Sequence, residues 1–354
     1  MPEICLDRYP TRRQVGTTLS PFDDVFDWIQ GLRSIRVLGE LTANHPALKS
    51  LPLAARRDRI KAVSAHINAA IEYLDVSRSE TGAQAFLNIY YGMLNLSKAI
   101  ILIGPRAAKL RQQRSHGISY SPYKQPSGVL SDWITLHPSG AVPLYYETIT
   151  GRSLTQTNVT MVNVYRYIRE LEIEYQDLTG DKVHLSGAQL RLTSEGTNRW
   201  RLEIELDLPC IQSAMSGYRH PTMGNLRRVS GTNTWRSRIF QAPNQAGATQ
   251  QARDLFRPFL LYHGAEEAIF ENPPNSRGRI PVTKLSYWPV EEFNLLLAFF
   301  HLSSVVRYDP ELMIEFQDSK EWPLLLILKR HGLYKFLLLF YSEMLQVHYS
   351  IASH

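Results

Sequence analysis

The chain has 354 residues, a formal net charge of +6, and a composition that is 44% hydrophobic and 20% charged. These values are ordinary for globular protein and exclude a disordered chain, a collagen-like fibre and a coiled-coil rod. Two cysteines, Cys5 and Cys210, are too few for a disulfide framework or a four-thiolate zinc site. The first residues form no apolar stretch, and polar side chains interrupt the apolar stretches 86–104 and 324–345. We therefore expect a soluble, cytoplasmic protein with reduced cysteines and no membrane contact.

The charge is distributed unevenly along the chain. Residues 81–131 contain six cations and no acid, and residues 208–253 again contain six cations and no acid. Basic stretches steer anionic partners, and an excess of Arg suits bidentate contacts with phosphates. We predict that nucleic acid is bound by Lys109, Arg114, Arg227, Arg228, Trp235, Arg236 and Arg238, with the ring of Trp235 stacking on a base. The alternatives are an acidic protein partner for the arginines and an exposed hairpin for the segment around Trp235.

Apolar side chains at helical spacing predict two helices in the first third of the chain. The first covers residues 53–74, and the second begins near Ser79–Glu80 and ends at Gly104–Pro105, which is a strong stop signal. The second is apolar on nearly every face, so we expect it to be buried. Its polar stripe either lines a cleft or is hydrogen-bonded internally. The stripe consists of Asn88, Asn95 and Lys98, and Tyr91 is a further candidate for the lining of the cleft.

The hydrophobic period changes in the middle of the chain. Thr157–Asn158 are predicted to cap a third helix, whose apolar positions run from Met161 to Leu171. Alternation at 188–193 and 200–206, on either side of a turn, predicts a β-hairpin. Residues 208–253 resemble a long loop or irregular β segment.

Helices return near the C-terminus, where we expect them at 290–308, 322–329 and 333–348. The fold class is therefore α+β. A mostly helical body is built from residues 1–150 and 281–354, and a mixed insertion covers residues 151–280. Within the last part, we predict that Arg307 pairs with a carboxylate at a helix end and that His301 is a core or edge residue.

The segment RAAKLRQQRSHGISY follows the apolar helix and contains Arg111 and His116. Histidine moves protons near neutral pH, and a guanidinium stabilises charge on phosphate oxygens, so the pair suits metal-free RNA cleavage. On one continuous helix the two side chains would be about 140° apart. They converge only across a dimer or if the helix ends between them, and Gly117 favours an end there. Alternatively, His116 bonds the last carbonyls of the helix and Arg111 is solvated.

These residues carry a resemblance to known proteins. The run FLNIYYGMLNLSKAIILIG followed by RSHG resembles the tyrosine-pair helix, loop and His-Gly of YaaC-like proteins. The run LLLAFFHLSSVVRYDPELM, from Leu295 to Met313, resembles the C-terminal stretch of that family.

The front segment is also similar, more distantly, to HEPN domains, whose tyrosine-pair helix precedes an R-x4-6-H motif. This resemblance implies a HEPN-like helical hairpin and RNA cleavage between two protomers, with Arg111 and His116 as the catalytic residues and with no metal or cofactor. Gln112 stands where active members often carry a smaller polar residue or a histidine. Many HEPN relatives bind nucleotides or partners without cutting.

Three functions remain open from the sequence. The first is a HEPN-like endoribonuclease of a bacterial toxin or antiviral system, which acts on RNA rather than DNA and is active as a homodimer. The second is a catalytically silent nucleic-acid-binding or scaffold subunit that works with a partner protein encoded nearby. The third is a small-ligand or nucleotide-binding protein that uses the polar stripe.

Overall fold

The computed structural model describes residues 11–15, 20–80, 82–121, 128–180, 185–206, 219–220, 224–225, 227–256, 277–281 and 290–351. The fold is α+β and mostly helical, as predicted. The helices are α1 (Pro21–Gly31), α2 (Ile35–Leu41), α3 (Pro46–Lys49), α4 (Leu53–Ser79), α5 (Gln84–Ile103), α6 (Ala107–Leu110), α7 (Ala141–Thr150), α8 (Met161–Tyr165), α9 (Glu172–Thr179), α10 (Gln245–Phe256), α11 (Glu291–Tyr308), α12 (Pro310–Gln317), α13 (Trp322–Ile327) and α14 (Leu333–Leu345). A 3-10 turn covers Arg169–Leu171, and a π-helical turn covers Leu328–Gly332.

The strands are β1 (Thr11–Val15), β2 (Ile118–Ser119), β3 (Trp133–Leu136), β4 (Thr157–Thr160), β5 (Leu185–Ser194), β6 (Arg199–Leu206), β7 (Arg219–His220), β8 (Gly224–Asn225), β9 (Arg227–Arg228), β10 (Thr234–Arg236), β11 (Phe240–Gln241), β12 (Arg277–Pro281) and β13 (Val347–Ile351). The chain divides into two compact units. The helical unit contains residues 17–183 and 291–347, and the sheet unit contains residues 1–16, 184–290 and 348–354. The chain passes from one unit to the other after residues 16, 183, 290 and 347, whereas the sequence suggested boundaries at 150 and 280.

The apolar helix α5 is the centre of the helical unit. It packs along α4 on one side and α11 on another. Gly92 allows the close approach of α4, because a Cβ atom at this position would lie 2.6 Å from Cγ of Leu74. Among the described helices, α5 alone is long and apolar enough to cross a bilayer, but 72% of its apolar stretch is buried inside the protein. This burial is typical of a core helix in a soluble protein.

A small antiparallel sheet in the helical unit corrects one prediction. Thr157–Asn158 do not cap a helix, because they belong to β4, which pairs with β3 in the order β2-β3-β4. The hydroxyl of Thr135 donates a 2.8 Å hydrogen bond to the side-chain oxygen of Asn158. β-branched threonines favour strands, and Thr160 rather than Thr157 precedes α8.

The sheet unit confirms the predicted hairpin. Strands β5 and β6 pair in antiparallel register, with Leu192 opposite Leu202, and both side chains are buried. The strand order is β12-β5-β6-β10-β9, and β11 also pairs with β6. For residues 208–253 the sequence predicts a long loop or an irregular β segment, and their described part contains the short strands β7 to β11 and the start of helix α10. Residues 208–218, 221–223 and 226 of this region lie outside the described residues.

The C-terminal helices follow the predicted positions closely. Helix α11 ends at Tyr308, and Asp309 caps α12 by accepting a hydrogen bond from the Leu312 backbone N–H. Helix α14 ends at Leu345, three residues before the predicted end, because Gln346 adopts a left-handed conformation with φ of 56°.

Candidate anion-binding cleft

His116 lies in a loop that docks onto the start of a helix. Helix α6 ends before Arg111, so the helix end suggested by Gly117 comes earlier than expected. The carbonyl oxygens of Ser115 and His116 accept hydrogen bonds of 3.1 and 2.9 Å from the backbone N–H groups of Ala141 and Val142, in the first turn of α7. Such N–H groups have no partner within their own helix, so the loop and the helix satisfy each other and hold His116 in place.

Two glycines permit this docking. Gly117 has a φ of +76°, and a Cβ atom there would lie 2.4 Å from the carbonyl oxygen of Ser139. A Cβ atom on Gly140, with φ of +130°, would lie 2.3 Å from Cα of Gly117. Both the backbone conformations and the close crossing therefore require glycine.

The imidazole of His116 is bonded to the tyrosine pair of α5. The hydroxyl of Tyr90, which is fully buried, is 3.0 Å from Nδ1 of His116. Burial raises the pKa of Tyr90, so the phenol is protonated and either donates to Nδ1 or accepts from Nδ1–H. In the second tautomer, Nε2 carries the lone pair and can take up a proton.

His116 lines a cleft of about 460 Å³. The other lining residues are Ile118, Ser119, Tyr120, Phe300, Arg307 and Tyr308. Tyr308 is 58% exposed, and its ring lies 4.9 Å from the guanidinium carbon of Arg307. The cleft therefore combines an imidazole, a guanidinium and an accessible aromatic ring, which are groups that suit phosphates and bases.

Two nearby cations disfavour the protonated form of His116. Burial is the main cause that lowers its pKa, and the charges of Lys98 and Arg307 lower it further. Burial also lowers the pKa of the Lys98 ammonium, which has no hydrogen-bond or ion-pair partner among the described residues. Burial and these two charges together favour the neutral form of the His116 imidazole.

Arg307 is held by α5 and by its own helix. Its Nη1 donates a 3.0 Å hydrogen bond to the hydroxyl of Tyr91, and its Nε donates a 3.3 Å bond to the Ser303 carbonyl. The prediction that Arg307 pairs with a carboxylate is therefore wrong for the part of the chain that the structure describes. No local pattern identifies Arg307 as a site residue, because its partner Tyr91 lies in a helix far away along the chain.

The structure places Arg111 in a different environment. Its side chain is exposed, and its charge lowers the pKa of Arg59, after the larger effect of burial. The cations that act on His116 are Lys98 and Arg307 instead. Within one chain, Arg307 therefore takes the position beside the histidine that the sequence assigned to Arg111, while a contact of Arg111 across a dimer stays a prediction.

Part of the polar surface of α5 is hydrogen-bonded to neighbouring residues, and part interacts with residues of the cleft. Asn88 donates a 2.8 Å hydrogen bond to Glu80, and Asn95 contacts Nδ1 of His66 at 3.0 Å, so both amides are satisfied by neighbours. Tyr91 and Lys98 instead interact with the cleft residues Arg307 and His116.

A buried network lies behind the cleft. The Tyr120 hydroxyl donates to Oδ2 of Asp132 at 3.3 Å, and Nε2 of His301 is 2.7 Å from the same oxygen. Asp132 and His301 are both 0% exposed, so His301 is a core residue, as expected. The structure brings no group of three or more potential metal-ligating His, Cys, Asp or Glu side chains together among its described residues.

The other predicted cations are partly neutralised. Lys109 and Arg106 share the carboxylate of Glu147 at 3.3 and 2.8 Å, and these contacts lower its pKa. In the sheet unit, Arg236 pairs with Glu203 at 2.7 Å, because β6 supplies an acid that the window 208–253 lacks. The remaining predicted arginines are exposed, namely Arg114, Arg227, Arg228 and Arg238.

Trp235 does not have the predicted role. Its side chain is only 2% exposed, in strand β10 opposite Ile204 of β6. A buried ring has no face available to a base, so the prediction of base stacking is wrong. Trp235 belongs to the core of the sheet.

Comparison with known proteins gives one family. A family model described as YaaC-like protein matches residues 41–344, which include the tyrosine pair, the His-Gly loop and Arg307. No curated protein and no solved structure matches the chain.

Proposed function

The chain belongs to the YaaC-like family, and we propose that it binds single-stranded RNA in the cleft around His116 and cleaves it without a metal. The observation that carries this proposal is that His116 and Arg307 line one cleft, where the charges of Lys98 and Arg307 also lower the pKa of the imidazole. Metal-free cleavage needs a base that is neutral at physiological pH and fixed positive charge for the phosphate oxygens.

The proposed reaction uses the groups of the cleft directly. Nε2 of His116 takes the proton from a ribose 2′-hydroxyl, whose oxygen attacks the adjacent phosphorus. The bond from phosphorus to the 5′-oxygen breaks, and that oxygen regains a proton from the imidazolium or from water. A 2′,3′-cyclic phosphate and a 5′-hydroxyl result. Arg307 and Lys98 compensate the charge that develops on the phosphate oxygens.

Binding without cleavage is the second candidate. The exposed Arg227, Arg228 and Arg238 of the sheet unit support nucleic-acid binding by themselves, since phosphate contacts position a strand without chemistry. A cleft of about 460 Å³ also has the size of a small-molecule site, which favours a nucleotide as the third candidate.

The biological setting completes the proposal. Metal-free RNA cleavage suits a cytoplasmic toxin or antiviral system. The protein would act there as a homodimer or with a partner protein encoded nearby.

Replacing the histidine tests the proposed chemistry. His116→Ala should reduce RNA cleavage about 10²- to 10⁴-fold, the usual effect of losing a general acid or base. A chelator should not change the wild-type rate, and the variant should remain folded at the temperature of the assay. Intact RNA after incubation with wild-type protein and its genetic neighbours would contradict cleavage. Salt-sensitive binding measured in the same samples would then distinguish a silent binder from a nucleotide site.

A further inference from the structure

Tyr120 is a cleft residue whose hydroxyl is oriented by a hydrogen bond to a buried carboxylate. It follows β2 directly, is half-buried and lines the cleft that contains His116. Its hydroxyl donates to Oδ2 of Asp132 at 3.3 Å. The ring of Tyr120 meets the ring of His301 edge-on, with centroids 5.4 Å apart.

The buried pair behind Tyr120 determines what its oxygen offers to the cleft. The hydroxyl of Tyr120 has a single proton, and it is donated inward to Oδ2 of Asp132. His301, 2.7 Å from the same carboxylate oxygen, holds Asp132 in this orientation. Burial raises the pKa of Tyr120, and the Asp132 charge raises it further, so the phenol does not ionise. With its proton donated to Asp132, the Tyr120 oxygen has only lone pairs left for a further partner.

The Tyr120 oxygen and the cations of the site recognise different groups of a ligand. Arg307 and Lys98 only donate hydrogen bonds, and they suit phosphate oxygens. A lone-pair acceptor repels a phosphate oxygen but accepts a hydrogen bond from a hydroxyl group. In single-stranded nucleic acid, the sugar hydroxyl that is present in RNA and absent from DNA is the ribose 2′-hydroxyl.

We propose that Tyr120 accepts a hydrogen bond from a ribose 2′-hydroxyl and thereby selects RNA over DNA, with Asp132 and His301 as positioning residues. This inference rests on the proposed function, because it requires nucleic acid in the cleft. The attacking 2′-hydroxyl gives its proton to His116, so the hydroxyl that Tyr120 binds belongs to a neighbouring nucleotide.

The test is a binding comparison on the full chain. All proteins carry His116→Ala so that RNA stays intact, and the ligands are short single strands of one sequence made as RNA, DNA and 2′-O-methyl RNA. Tyr120→Phe removes the acceptor and keeps the ring. Tyr73→Phe removes an exposed hydroxyl from α4, outside the lining of the cleft, and is the matched control.

We expect RNA to bind about three- to tenfold more tightly than DNA or 2′-O-methyl RNA, the fold-change of one neutral hydrogen bond. Tyr120→Phe should lower RNA affinity to that of DNA and leave DNA affinity unchanged, while Tyr73→Phe keeps the wild-type ratio. An equal loss for RNA and DNA in Tyr120→Phe, or an unchanged ratio, would overturn the role of Tyr120.

A second test compares the three ligands on the protein that keeps Tyr120. Equal binding of RNA, DNA and 2′-O-methyl RNA overturns the inference but leaves the proposed nucleic-acid cleft standing. The absence of salt-sensitive binding to any of the three overturns the proposed function, and Tyr120 then has no ribose to select.

Discussion

The guanidinium of Arg307 donates a 3.0 Å hydrogen bond to the hydroxyl of Tyr91, although 216 residues separate them along the chain. The neighbouring Tyr90 contacts His116 at 3.0 Å. The two tyrosines of α5 therefore connect the end of α11 to the loop histidine. This connection places Arg307 and His116 on one cleft.

Removing either cation should raise the pKa of His116. Lys98→Gln and Arg307→Gln each take away a positive charge that disfavours the imidazolium. An NMR titration of the His116 ring protons measures the pKa directly. The control is Lys109→Gln, since Lys109 pairs with Glu147 and should leave the titration unchanged. A His116 pKa that stays constant in all three variants would contradict the electrostatic arrangement.

The pH dependence of stability should follow from the same histidine. The pKa of His116 is lowered in the folded protein, so the unfolded chain binds more protons between the folded pKa and the unfolded value of about 6.5. Stability from this group is therefore present above that value and is lost as the pH falls. His66, whose pKa is lowered mainly by burial, should behave in the same way.

Thermal unfolding across this pH range checks the sign. The melting temperature of His116→Gln should fall less on acidification than that of the wild-type protein. A steeper fall in the variant would show that the folded protein favours the imidazolium, contrary to the lowered pKa.

The crossing of Gly117 and Gly140 should be sensitive to a single methyl group. Gly117→Ala introduces both a left-handed alanine and a Cβ atom 2.4 Å from the Ser139 carbonyl oxygen. Gly151→Ala is the matched control, because Gly151 has a φ of +74° with open space around its Cβ position. Chemical denaturation should give a loss of about 1–2 kcal/mol for Gly151→Ala and a larger loss for Gly117→Ala. Equal losses would mean that the crossing contributes nothing beyond backbone conformation.

Trp235 should matter for stability rather than for binding. Trp235→Ala removes a fully packed ring, and large-to-small changes of this kind cost about 3–5 kcal/mol of unfolding free energy. Its effect on nucleic-acid affinity should vanish when the protein is measured well below its melting temperature. Weaker binding by a stably folded Trp235→Ala would contradict this assignment.

The arginines of the sheet unit should contribute unequally to the salt dependence of nucleic-acid affinity. Replacing the exposed Arg227 and Arg228 with Gln should flatten the dependence of log affinity on log salt, by about 0.7 for each phosphate contact to a single strand. Arg236→Gln should flatten it less, because Glu203 already pairs with this guanidinium. Slopes that are identical for all variants would assign these arginines to a protein partner.

Helices and strands with a clear hydrophobic period of their own could be predicted from the sequence. The apolar run before Gly104 predicted α5, and alternation around the turn predicted the hairpin of β5 and β6. Thr157 was misassigned because its strand is formed by pairing with β3, which no local pattern reports.

The candidate site was predictable only in part, for the same physical reason. The tyrosine pair and His116 are close in sequence and were identified together. Arg307 was assigned a structural role because 216 residues separate it from its partner Tyr91 along the chain. The burial of Trp235 likewise depends on the pairing of β10 with β6.

The most direct measurement compares Arg307→Gln with Arg111→Gln in an RNA cleavage assay at saturating and limiting RNA. We expect Arg307→Gln to lose roughly 10²-fold or more in kcat/KM, as for other fixed groups that stabilise transition-state charge, while Arg111→Gln retains most of the wild-type value. Both variants should keep the wild-type melting temperature. A loss confined to Arg111→Gln, with Arg307→Gln fully active, would contradict the assignment of Arg307 as the guanidinium of the cleft.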